Sequence, residues 1–65
     1  MYTVFAEDGK PKMGIFGVVF VRTLSEALKH VEPGEKIVHW SSSGYAKTTW
    51  LCQPNGKIHL VPKAR

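Results

Sequence analysis

Lys47, Lys57, Lys63 and Arg65 stand in a stretch, Ile37 to Arg65, that contains no aspartate or glutamate. The five acids, Glu7, Asp8, Glu26, Glu32 and Glu35, all precede it, and the net charge is +4. A positive body of this kind attracts polyanions, so it favours nucleic acid or an acidic protein surface as partner. Phosphate contacts from lysines position a chain without reading its sequence, so little base preference is expected. Histidine is the side chain that gains charge just below neutral pH, and His39 and His59 belong to the same half. Tyr45 adds a ring beside Lys47, and bases stack on exposed aromatics flanked by cations. Lys10 and Lys12 sit on a connection near the N-terminus, where paired lysines can grip a phosphate or an acidic surface. The plainer alternative is that the lysines only solvate a small protein.

Other chemistries find no support in the spacing. Zinc needs ligands about 2.0–2.3 Å from one centre, and patterns such as C-x2-C are absent. In the register expected below, His39 lies opposite Lys47 and His59 opposite Leu51. About 13 Å along the strands then separates them, and Cys52 points to the other face. Ser41, Ser42 and Ser43 follow His39 closely, but a serine-rich hairpin tip is ordinary turn chemistry. No third group orients a base there, because the acids lie elsewhere in the chain. Gly14-Ile15-Phe16-Gly17 lacks the lysine and the following helix of a phosphate loop. The expectation is a binding module, not an enzyme, with no metal or cofactor.

The elements that must position these side chains can be read from periodicity and turns. The longest apolar run is Gly14–Arg22, whose Ile15, Phe16, Val18, Val19, Phe20 and Val21 suit a strand. Apolar residues fall on both of its faces, as expected of a central strand buried on both sides. One short helix can cover only one side of a sheet. The other side then needs a curled barrel, a second copy of the chain or a partner protein. The run is too short to span a membrane, and no membrane partner is expected.

Tyr2–Ala6 reads as a first strand, followed by an Asp8-Gly9 turn. Thr23-Leu24-Ser25-Glu26 matches a capping box, and Leu24, Ala27, Leu28 and Val31 then form one helical stripe. Pro33 and Gly34 end that helix. Lys36–Ser41, Tyr45–Gln53 and Lys57–Val61 follow as a three-stranded meander. Gln53-Pro54-Asn55-Gly56 suits a type I turn closed by a left-handed glycine, which pairs Cys52 with Ile58, Leu51 with His59 and Trp50 with Leu60. The same reasoning at Ser42-Ser43-Gly44 places Val38, Trp40, Ala46, Trp50, Cys52, Ile58 and Leu60 on an inner face. Ile37, His39, Lys47, Thr49, Leu51, Gln53, Lys57, His59 and Val61 fall outside.

These readings predict one α+β domain over residues 1–65. It has a mostly antiparallel five-stranded sheet (β-β-α-β-β-β) with one short helix on one face, a small curled β-barrel being the alternative. Sixty-five residues bury only about 60% of the unfolded surface, leaving about 3–5 kcal/mol of stability. One cysteine permits no internal disulfide and suits a reducing cytoplasm, and no basic leader segment opens the chain. Nucleic-acid binding through Lys47, Lys57, Lys63, Arg65, Lys10, Lys12, His59 and Tyr45 is the first functional expectation. The second is a protein–protein module: a homodimer, or a small inhibitor of the bacterial accessory or phage-encoded kind, docking a sheet face or edge.

Overall fold

The computed structural model describes residues 1–15 and 17–62. In chain order the elements are β1 (Tyr2–Phe5), β2 (Met13–Gly14), β3 (Gly17–Val18), β4 (Phe20–Val21), α1 (Leu24–Leu28), β5 (Lys36–Trp40), β6 (Ala46–Cys52) and β7 (Ile58–Val61). Five of the strands form an antiparallel sheet in the order β4-β1-β5-β6-β7, with α1 against β1 and β4. The α+β reading holds. The sheet stays open, with β4 and β7 as edges, and no barrel closes.

The helix starts where the sequence places it. Thr23 has extended angles, and its hydroxyl accepts from the Glu26 amide at 3.2 Å. Leu24, Ala27 and Val31 join the core as the stripe requires, whereas Leu28 is 43% exposed. The helix is only five residues long and ends at Leu28, while Val31, beyond its end, still packs on the core. Val4, Val19, Ala27 and Ile37 form the buried centre, with Tyr2, Val21 and Trp50 around them.

The long apolar run is not a central strand. Gly14 pairs with Gly17, and Met13 with Val18, so the run folds into a tight hairpin before it reaches the sheet. Gly17 has φ +114°, a value open to glycine and rare for other residues, and this breaks the extended path. Only Phe20 and Val21 then pair with β1, at the sheet edge. Val19 is buried and Val21 packs on the core, but Ile15 is 94% exposed and Phe20 56%. β5 takes the central place instead.

The β6–β7 hairpin has the expected register, with Cys52 opposite Ile58, Leu51 opposite His59 and Trp50 opposite Leu60. The Gly56 amide donates to the Gln53 carbonyl at 2.8 Å, the Gln53 amide donates to the Lys57 carbonyl at 2.8 Å, and Gly56 has φ +85°. At the β5–β6 hairpin the expected register survives for one pair and then fails. Trp40 faces Ala46, but His39 faces Thr48, and Lys47 is the extra residue of a β-bulge. Beyond that bulge every β5 side chain is on the face opposite to the one expected. Ile37, opposite Trp50, is fully buried under the helix, while Val38 and Trp40 face the other way. The bulge brings Ile37 and Trp50 to one core face, and the uninterrupted register puts Ile37 outside.

Candidate functional site

Among the described residues the helix packs on one side of the sheet only, and no second layer covers the other face. The register places Phe20, Thr3, Phe5, Lys36, Val38, Trp40, Thr49, Leu51, His59 and Val61 there. Thr49, Leu51, His59 and Val61 are where the sequence puts them. Trp40 and Val38 are corrections, since both were expected in the core, and Ile37 and His39 are the converse corrections.

Trp40 organises this face. Its indole N–H donates to the Thr3 hydroxyl on the neighbouring strand at 3.0 Å. Thr3 is diagonal to Trp40 across the β1–β5 pair, so the ring lies back over the sheet instead of standing away from it. Thr3 and Val38 are buried there (6% and 8% exposed), although no helix covers them. Phe5 flanks the indole, with ring centroids 6.4 Å apart and planes inclined at 52°. The tryptophan itself is half-buried.

At the Trp40 end of the sheet, the β5–β6 hairpin encloses an open cleft of about 540 Å³. His39, Trp40, Ser41, Ser43, Tyr45 and Lys47 line it, together with Met1 and Ser42. The tip is held by the Ser41 hydroxyl, which accepts from the Ser43 and Tyr45 amides at 3.2 and 3.3 Å. Lys47, displaced by the bulge, and the Tyr45 ring are both exposed. Strands β5, β6 and β7 contain no aspartate or glutamate, so the cleft and the adjoining face meet no carboxylate from these strands.

The remaining predicted site residues are dispersed. Lys57 is exposed at the β6–β7 turn, at the opposite end of the sheet, and His59 is exposed on the open face. About 20 Å of β6 separates the level of Lys47 from that of Lys57. Lys10 is exposed in the turn after β1. Lys36, which the sequence reading did not single out, is exposed on the open face between these extremes. Only its place in the register reveals it, because its spacing carries no signature. Lys63 and Arg65 lie outside the described residues.

Lys12 is not on this surface. Its ammonium donates to Glu35 at 2.8 Å, to Glu32 at 2.9 Å and to the His30 carbonyl at 2.6 Å. Burial works to lower its pKa, but the hydrogen bonds and charges of Glu35 and Glu32 outweigh burial and raise it above 10.5. This lysine ties the connection after β1 to the turn that precedes β5, a structural role.

Among the described residues, no group of three His, Cys, Asp or Glu side chains is placed to hold a metal ion. His39 stacks on Tyr2 on the helix-side face, with centroids 4.4 Å apart, whereas His59 is on the open face. Cys52 is 3% exposed. No helix among the described residues is long and apolar enough to cross a membrane.

The class defined by this fold is a small α+β protein with a one-sided sheet, an aromatic patch on its bare face and exposed cations around it. Comparison with protein-family models, with curated proteins and with solved structures finds no match to this chain.

Proposed function

We propose that this protein is a non-enzymatic nucleic-acid-binding module that uses the helix-free sheet face and the adjoining hairpin cleft. The observation that carries this reading is the coincidence of three features on one surface. The face lacks a covering layer, its strands β5–β7 lack carboxylates, and Lys36, Lys47 and Lys57 are exposed on or beside it. Placed at opposite ends of the sheet, Lys47 and Lys57 suit a phosphate chain running along the strands, and Lys36 and His59 lie between.

A charge-reversed pair tests this reading. Lys47→Glu with Lys57→Glu is expected to weaken binding of a fluorescent oligonucleotide at least tenfold at low salt. The slope of log affinity against log salt should fall by about 1–2, since each lost phosphate contact removes close to one unit. Unchanged affinity and slope would remove these lysines from the interface.

A specific observation also favours self-association as a second reading. Met13, Ile15, Val18 and Phe20 are 66%, 94%, 49% and 56% exposed, and all belong to the β2–β3 hairpin and the adjoining edge strand. Monomeric proteins seldom expose apolar side chains in such a group. If this hairpin joins two copies, light scattering gives a dimer mass that Ile15→Lys converts to a monomer. A monomer mass for the unaltered protein at high micromolar concentration would rule the dimer out.

A further inference from the structure

We propose that a recess on the bare sheet face, beside Phe5, holds one unpaired guanine of the bound strand. This inference rests on the nucleic-acid reading above and adds a base preference that phosphate contacts alone do not give. The recess has a volume of about 220 Å³, and Phe5 and Val38 give it an apolar wall, with Lys36 and Glu7 also lining it. Sites for whole small ligands run to about 300–1,000 Å³. A recess of this size takes part of a ligand, such as one flat base of a chain.

Its two charged groups sit where the register puts them. Phe5 is directly opposite Lys36 across the β1–β5 pair. Two residues further along the same register Glu7 meets Gly34, and its carboxylate lies 3.0–3.2 Å from the point a β-carbon on Gly34 would occupy. With no side chain at Gly34, the carboxylate settles next to the start of β5, two positions from Lys36. Neither Glu7 nor Lys36 has a side-chain hydrogen bond or ion pair to another described residue. An anion and a cation are thus both unspent at the rim of one apolar recess.

Guanine matches this arrangement. Its Watson–Crick edge offers two N–H donors side by side, with a carbonyl oxygen next to them. A carboxylate accepts two parallel N–H bonds, as it does from arginine, and an ammonium donates to the carbonyl or to a neighbouring phosphate. Adenine and cytosine set a single amino group beside a ring acceptor, and thymine sets its one N–H between two carbonyls, so each offers the carboxylate less. In a duplex the guanine donors are taken by cytosine, so the recess admits only an unpaired base.

The test follows the anisotropy of a fluorescent oligothymidine at low salt, with its central base left as thymine or replaced by guanine, adenine or cytosine. Guanine is expected to tighten binding about tenfold over thymine, the effect of one bidentate base contact. Glu7→Gln keeps the size of this exposed side chain but loses one acceptor. It should abolish the guanine preference without weakening oligothymidine binding, because the lost carboxylate only repels a polyanion. Equal binding of all four oligonucleotides would overturn the guanine site and leave the phosphate reading standing. A guanine preference that survives Glu7→Gln, or a preference for adenine or cytosine, would overturn the site as well. Binding of none of them at low salt would overturn both readings.

Discussion

Ile37→Ala is expected to remove about 3 kcal/mol of stability, within the usual cost for truncating a buried isoleucine. Ile37 is fully buried among Val4, Val19 and Ala27, with Trp50 packed against the same cluster. A domain of this size has about 3–5 kcal/mol in all, so the variant retains about 0–2 kcal/mol. Urea unfolding of the variant should show a midpoint near zero denaturant, and amide dispersion should be partly lost at 25 °C. Leu60→Ala is the informative companion. Leu60 is 56% exposed, and its truncation should cost no more than about 0.5 kcal/mol. An uninterrupted β5–β6 register puts Ile37 outside the core, where its truncation would cost as little as that of Leu60. Similar costs for the two variants would therefore argue against the bulge at Lys47.

Lys12→Met should cost about 2 kcal/mol, or roughly 8–16 °C in melting temperature. The main loss is the bond to Glu35, whose side chain is only 14% exposed. Glu32 is 73% exposed, so its share of the ion pair is screened and small. Methionine fills the space of the lysine stem but leaves the Glu35 carboxylate and the His30 carbonyl without the ammonium. The pH dependence follows from the raised pKa of Lys12. A cation stabilised by folding contributes fully below its unfolded value near 10.5, and the contribution disappears as pH rises through the higher folded value. The stability difference between the unaltered protein and Lys12→Met should thus be flat from pH 7 to about 10 and shrink above that. A difference that is already small at pH 7 would show that the ion pair is not structural.

Lys12 also shows why a charged loop residue resists assignment from sequence alone. Its two carboxylate partners lie 20 and 23 positions away, and nothing local distinguishes it from Lys10, which is exposed. The lysine count of the loop is legible, but the division of labour between the two is not. Trp40 is similar. Whether it lines the core or the bare face depends on a single extra residue seven positions later, and the aromatic part of the candidate site appears only once that register is known.

What the sequence determined by itself is the set of features whose cause lies within a few residues. The Thr23–Glu26 cap, the Pro54-Asn55-Gly56 turn and the β6–β7 pairing it dictates, and the acid-free C-terminal half all belong to this set. Each rests on local hydrogen bonds, a fixed φ or simple charge counting. The tertiary structure decided which strand is central, where the bulge falls and which face stays bare. Those outcomes depend on how one short helix can cover Val4, Val19 and Ile37 together. Strand alternation has a period of two, so one extra residue at Lys47 exchanges core and surface along all of β5, and no local signal in Lys36–Trp40 records that exchange.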